Sequence, residues 1–390
     1  MPDLNPTVSV VIPTKNRRHV LPETIASIQA QTFPGWEVLV VDDASTDDTE
    51  AMVQALASDD PRIRFIPRGR EPAGAPTCRN IGLSEARGEF VLFLDSDDLL
   101  APTCLEHRVR QLKQNPTLAF VVSSGERFKT IPGDLGIAFG GGDEQYDFWR
   151  ALCMHYPWQT AAPLWRKPVV RQIGAWDESL KIGQDLDLTT RALILGLPYR
   201  RLPIRDYYYR ENPSGIGLRL WNLESQPSHI RRTDNARECL ASQGRLHGFA
   251  RTCIAGNYLW IAQNMVSLGH PHEARQIWDR ARKLKVVPWY IYFICRLLLR
   301  PTHARGRRLL APILILILPR GLLVRPSSSQ MSERFVDRKG RYRPVHYPDG
   351  VEDCLEAGTF VNRRWVNAYI DRFQGRAHHS PEVLKDDKRV

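Results

Sequence analysis

With 390 residues, 43% of them hydrophobic and 25% charged, the chain can bury a sizeable core, so a disordered or low-complexity protein is excluded. The seven cysteines (Cys78, Cys104, Cys153, Cys239, Cys253, Cys295, Cys354) are scattered without a CxxC pair, which argues against a disulfide framework or zinc ribbon and for reduced thiols in a cytoplasmic protein. The net charge of +11 is uneven: Lys285 to Arg343 carries thirteen Lys or Arg against Glu333 and Asp337, so the rest of the chain balances to zero.

Taken in order, "VSVVIP" (Val8 to Pro13) predicts a buried strand, and its apolar run is too short for a signal-peptide core. A helix follows with Leu21, Ile25 and Ile28 on one face and Pro22 in its first turn. "WEVLVV" (Trp36 to Val41) is a second strand, after which Ser45 or Thr46 can cap a helix carrying Met52, Val53 and Leu56. "RIRFI", a helix over Cys78 to Ala86, and "FVLFL" (Phe90 to Leu94) complete a βαβα alternation, which implies a mostly parallel α/β sheet. Residues 125 to 150, with Gly140, Gly141 and Gly142, suggest a mobile loop. Mixed elements return from Phe148 to Asp206, with a helix over Leu186 to Leu195. Residues 236 to 284 are helical, with Tyr258, Ile261, Ala262, Met265 and Val266 on one face and Ala274, Ile277, Trp278 and Ala281 on another.

Ligands of open α/β sheets gather beyond the carboxyl ends of the strands. Asp42 and Asp43 follow the second strand, and Asp95, Ser96, Asp97 and Asp98 follow the fourth, so both acidic groups should face one cleft. Clustered carboxylates repel unless cations, hydrogen bonds or solvent relieve them, and a hard divalent ion takes one or two carboxylates plus substrate phosphates. A D-x-D after a parallel strand is therefore a natural metal-diphosphate platform; the competing reading is a turn in which Asp95 and Asp97 cap the helix near Pro102.

"VSVVIPTKNR", "VLVVDDASTDDT", "CRNIGLSEARGEFVLFLDSDD" and "WDESLKIGQDLDLTTRALILG" occur in the order seen in family 2 glycosyltransferases of the GT-A fold, and the chain resembles that family over about residues 7 to 215. The resemblance implies a nucleotide-sugar donor site in which Asp43 recognises the base and Pro13 lines its pocket. Arg79 and Asn80 would lie near the donor, and Asp95 and Asp97 would serve ribose and a Mn²⁺ or Mg²⁺ diphosphate complex. The family's catalytic base is the Asp of an E-D motif; here it is Asp185, preceded by Gln184 in place of Glu. Asp185 as a helix N-cap is the competing reading, and Asp187 is a weaker candidate base that reads rather as a solvated helix carboxylate. "YYYRENPSG" resembles a Y-R-x-H segment with Asn212 at the His position, and the absence of QxxRW argues against a processive synthase.

Two apolar runs, Val286 to Leu299 and Leu309 to Val324, flank "RPTHARGRR" and are too short to span a bilayer. They fit interfacial attachment to an anionic membrane, with Trp289, Tyr290 and Tyr292 at the boundary, or a helical core or dimer surface. No motif points to nucleic acid, and His378 and His379 read as a solvated tail pair. The resulting expectation is a GT-A domain over 1–235, a helical, basic and apolar region over 236–330, and a tail over 331–390. The activity expected is metal-dependent, inverting transfer to a glycan or lipid-linked acceptor, at the inner face of the cell membrane. A non-catalytic nucleotide-sugar-binding scaffold is the alternative, resting on Gln184.

Overall fold

The computed structural model describes residues 5–142, 144–211 and 222–299. Strands β1 (Val8–Thr14) and β2 (Trp36–Asp42) are buried along their whole length, as apolar runs enclosed on both faces must be. They pair in parallel from Val8↔Trp36 to Thr14↔Asp42. Strand β3 (Ile63–Pro67) extends β2 on one side, and β4 (Phe90–Phe93) pairs with β1 on the other, both in parallel. Between them run α1 (Leu21–Gln29), α2 (Thr49–Asp59) and α3 (Ala75–Glu85). Helix α3 lies so close to β1 that a Cβ on Gly82 would fall 2.3 Å from the Val11 side chain, which explains the glycine in mid-helix.

Beyond β4 the sheet continues as β8 (Pro163–Arg166), β6 (Phe120–Phe128), β9 (Tyr199–Arg210) and β5 (Leu99–Leu100), with β7 (Ile137–Phe139) paired to β6. Strands β1 to β4, β6 and β9 run one way, and β5, β7 and β8 run against them. The expected α/β sheet is present, with a parallel half at β3-β2-β1-β4 and a mixed half beyond it.

Three local expectations are corrected. The stretch 125–150 is ordered structure: the end of β6, then β7, then α5 (Glu144–Leu152). The Gly run is only the link before α5, with positive φ at Gly140 and Gly142. Helix α2 starts at Thr49, and neither Ser45 nor Thr46 caps it; they tie the loops after β1 and β2 together through Asn16 and Asp42. Helix α3 begins three residues early, because Pro76 suits a first turn.

After α4 (Cys104–Gln114), α6 (Lys167–Gln172) and α7 (Gln184–Ile194), the chain becomes helical as α8 (Gln226–Ser242), α9 (Gly248–Ser267), α10 (Pro271–Lys283) and α11 (Trp289–Leu298). Helix α8 runs through position 235 and packs on both α7 and α9. The two predicted faces point inward: Tyr258, Ile261, Ala262 and Met265 on α9, and Ala274, Ile277, Trp278 and Ala281 on α10, are buried, and Val266 is half-buried. Helix α11 divides the readings of its apolar run. Ile291, Tyr292 and Cys295 are buried against the bundle, with the Trp278 indole donating to the Tyr292 carbonyl at 3.0 Å. Trp289, Tyr290 and Phe293 are 62%, 48% and 57% exposed. The second run, Leu309 to Val324, lies outside the described residues, as do the 331–390 tail, Cys354 and the His378-His379 pair. Among the described residues no helix is long and apolar enough to cross a membrane.

Candidate functional site

Because β1, β2 and β4 are adjacent and parallel, their carboxyl ends share one edge of the sheet. Pro13 is buried in β1 opposite Val41, beyond the last β1–β4 pair. Asp43 follows β2 as predicted. Its carboxylate accepts from the Gly74 backbone N–H at 3.0 Å and is paired with Arg68 at 2.6 Å and Lys15 at 3.6 Å. A base reaching Asp43 would therefore meet a carboxylate already held by the chain before α3.

Behind β4, the four-residue acidic group divides by task. Asp98 is buried and accepts from the Arg210 backbone N–H at 3.0 Å, which ties β9 to this turn. Burial, then the charges of Asp97 and Asp95, hold its carboxyl well above the usual range. Asp97 is also raised, by burial first and by Asp95 second, while Arg17 and Arg210 pull it down. Neither Asp95 nor Asp97 caps α4, whose N-cap is Thr103. Among the described residues no three His, Cys, Asp or Glu side chains converge as a metal cage. The donor set is instead two hard carboxylates in an under-neutralised acidic turn, and that suits a divalent ion whose other ligands come from phosphate and water.

Arg79 links this turn to the predicted base. It is only 4% exposed: one Nη donates to Asp95 at 2.6 Å, the other to the Gln184 side-chain oxygen at 2.7 Å, and the guanidinium lies 4.5 Å above the Trp176 ring. Asn80 acts one step behind. Its amide clasps the Trp176 backbone at both N–H and C=O and donates to Glu178 at 2.7 Å, so it fixes the loop carrying Trp176.

Asp185 stands in the first turn of α7, after Gly183, whose φ of +65° marks the N-cap. It is therefore not the cap itself. Burial raises its carboxyl to about 6; a Leu186 backbone hydrogen bond, Arg79 and Arg232 act downward, and Asp95 acts upward. A carboxyl with that value is poised as a base near neutral pH. Asp187 is corrected from solvated to structural: it is 2% exposed, accepts from Arg191 at 2.6 and 2.9 Å, and receives the Asn235 amide from α8 at 2.9 Å.

The structure thus brings Arg79, Asp95, Gln184 and Asp185 together and sets Asp43 at the neighbouring strand end. Trp176 and Arg17 lie inside the quoted segments but received no role there, and Arg232 escaped sequence reading altogether, because an arginine on a polar helix carries no local code. Arg210 comes from the recognised "YYYR" segment, and its Nε donates to the Asp97 carbonyl at 3.0 Å. Asn212 to Gly215, which complete that segment, lie outside the described residues.

An α/β sheet of this topology with D-x-D at the end of β4 and an acid opening α7 defines the GT-A glycosyltransferase class. Residues 9–168 match the family model "Glycosyl transferase family 2". A GalNAc(5)-diNAcBac-PP-undecaprenol beta-1,3-glucosyltransferase from Campylobacter jejuni is 46% identical over 136 residues, 35% of this chain and 43% of the relative. The UDP-Glc:alpha-D-GlcNAc-diphosphoundecaprenol beta-1,3-glucosyltransferase WfgD from Escherichia coli is 37% identical over 108 residues, 28% and 42% of the two chains. The matched segment thus spans less than half the length of either relative. Among solved structures, S. aureus TarS with UDP-GlcNAc aligns over 74% of this chain and 90% of its own, at 19% identity and a TM-score of 0.46.

Proposed function

We propose that the chain transfers a sugar from a nucleotide-diphosphate donor to a hydroxyl of a glycan or lipid-linked acceptor, with inversion, in assembly of envelope polysaccharide or glycoconjugate. The observation that carries this reading is the Asp95–Arg79–Gln184 chain, which couples the D-x-D turn to the helix start bearing Asp185. Asp185 accepts the proton of the acceptor hydroxyl as that oxygen attacks the anomeric carbon, and the C–O bond to the departing nucleoside diphosphate breaks in the same displacement. Asp43 and Pro13 face the base. Asp97, with Asp95, would hold Mn²⁺ or Mg²⁺, which when bound supplies positive charge to the leaving diphosphate. Arg79 and Trp176 wall the space between the D-x-D turn and Asp185.

The lipid-linked acceptor is supported by the names of the two relatives. Attachment to the inner face of an anionic membrane is supported by the exposed Trp289, Tyr290 and Phe293 beside the basic last turn of α10 (Arg280, Arg282, Lys283). The scaffold alternative rested on Gln184, and Gln184 here makes the contact to Arg79 that its oxygen permits.

The test is thermal shift with UDP, GDP, CDP and dTDP, each with and without Mn²⁺. A ligand at about 100 times its dissociation constant adds roughly 2.7 kcal/mol. One nucleotide should stabilise the protein only with Mn²⁺, and Asp97→Ala or a chelator should abolish that shift. No shift from any nucleotide refutes the donor site as drawn.

A further inference from the structure

We propose that Asn235, on α8, is a positioning residue for the transfer site: its amide ties the loop behind Trp176 to the first turn of α7 and so fixes the Trp176–Arg79 wall relative to Asp185. The inference rests on the reading of Asp185 as the base. The Asn235 side chain is buried, and its Nδ2 donates to Asp177 Oδ2 at 2.8 Å and to Asp187 Oδ1 at 2.9 Å. An amide nitrogen carries two N–H groups, so each carboxylate receives one. These two bonds close a ring around the site. Asp177 follows Trp176, whose ring lies 4.5 Å from the Arg79 guanidinium; Arg79 donates to Gln184 at 2.7 Å; and Asp187, two residues beyond Asp185, returns to Asn235.

Trp176 is held from three directions. Asn80 clasps its backbone from α3 at 2.9 and 3.0 Å, and Arg191 on α7 donates to the Ile173 and Ala175 carbonyls ahead of it at 2.6 and 2.7 Å. Of these three side chains, Asn235 is the one that grips the residue behind it. Asp187 serves two of the grips with separate oxygens, Oδ2 taking Arg191 and Oδ1 taking Asn235. Its own backbone N–H donates to the Gly183 carbonyl at 3.1 Å, and that turn of α7 encloses Gln184 and Asp185. Charge explains why the residue is an amide. Arg231 pairs with Asp177 at 2.8 Å and Arg191 with Asp187 at 2.6 Å, so two carboxylates already have two cations, and a neutral donor adds bonds without adding charge. Burial pushes the Asp177 carboxyl up, but the Asn235 amide, Ser179 and Arg231 together bring it down to about 2, so it stays an ionised acceptor at neutral pH.

The experiment labels the full chain with fluorotryptophan and reads it by ¹⁹F NMR, with Trp176→Phe assigning the Trp176 resonance. Asn235→Ala removes both bonds but leaves both arginine pairs; it should shift or broaden the Trp176 signal while Trp165 in β8 and Trp278 in α10 stay in place. Asn235→Ser, which keeps one donor, replaces it if the Ala variant does not fold. The same proteins are assayed with Mn²⁺ and the glucose conjugates of UDP, GDP, CDP and dTDP, water standing for the acceptor and nucleoside diphosphate release being measured. The variant's kcat should fall by about tenfold to 10²-fold, as when reacting groups are misplaced by about 1 Å, with the donor KM unchanged. A Trp176 signal unmoved in a folded variant overturns the proposal, as does an unchanged kcat. A shift of Trp165 and Trp278 along with Trp176 also overturns it, by reducing Asn235 to a support of the whole fold. Failure of the base reading shows separately, as release that survives Asp185→Asn, whatever the Trp176 signal does.

Discussion

Replacing Asp185 by Asn should make the protein more stable while removing its activity, and the size of both effects follows from the site. Burial lifts the carboxyl from 3.8 to about 6, a shift of about 2 units, and each unit corresponds to about 1.36 kcal/mol. Because the folded state binds the proton more tightly than the unfolded chain, this group costs nothing below about 3.8, costs progressively more as pH rises, and reaches its full cost above about 6. Asparagine keeps an oxygen for the Leu186 backbone N–H and carries no charge. The Asn variant should therefore gain up to ~3 kcal/mol at pH 8 and roughly half of that at pH 5. The upper figure is a ceiling, because part of the Asp185 surface remains exposed. Urea unfolding of both proteins at the two pH values measures the difference. Transfer in the variant should fall by about 10²- to 10⁴-fold, the usual contribution of a general base. A variant no more stable than wild type at pH 8, or one with equal gains at both pH values, would refute the assignment of a buried, destabilising carboxylate.

Two further outcomes concern other parts of the molecule. Arg108 is fully buried, with Nε and Nη2 donating to the two Asp206 oxygens at 3.0 and 2.6 Å and Nη1 donating to the Ala161 carbonyl at 2.7 Å. Arg108→Met should cost about 3–5 kcal/mol in urea unfolding by stranding the Asp206 charge, and Arg108→Met with Asp206→Leu should cost less. Trp289→Ser with Phe293→Ser should lower co-sedimentation with phosphatidylglycerol vesicles by about tenfold or more, since a large apolar side chain contributes about 1.5–3 kcal/mol when fully buried. Equal binding of the variant and the wild type would assign the exposed face of α11 another role.

Strands β1, β2 and β4 were legible because each is a continuous apolar run enclosed on both faces, and the acidic residues at the ends of β2 and β4 follow from that register. Strand β9 was not legible. Its sequence "YRRLPIRDYYYR" groups charged and aromatic residues in runs around Pro203, with no period of two, and only pairing with β6 and β5 reveals it as a strand. Asp187 shows the same limit from the other side: its spacing on α7 is that of a surface carboxylate, and only the arrival of Asn235 from a helix some fifty residues later buries it. Asp185 was located by motif order. That its carboxyl is raised could not be read from sequence, because the cause is burial among α3, α7 and α8.

Gln184 shows how a departure from a motif can preserve geometry. Its oxygen accepts from Arg79, and its amide nitrogen donates to the carbonyls of Leu180 and Lys181 at 3.0 and 3.2 Å. A glutamate could make the first contact but neither of the others, since an ionised carboxylate has no proton to donate. With Gln, the link between the D-x-D turn and α7 is kept while one negative charge is removed from beside Asp185. The Arg79 guanidinium is then compensated by Asp95 alone, which leaves the space between the D-x-D turn and Asp185 more positive by one charge than a Glu-Asp pair would make it. A more positive field favours both an ionised Asp185 and an arriving diphosphate. The substitution is thus consistent with a working transferase, and the loss of Glu is no sign by itself that catalysis has been abandoned.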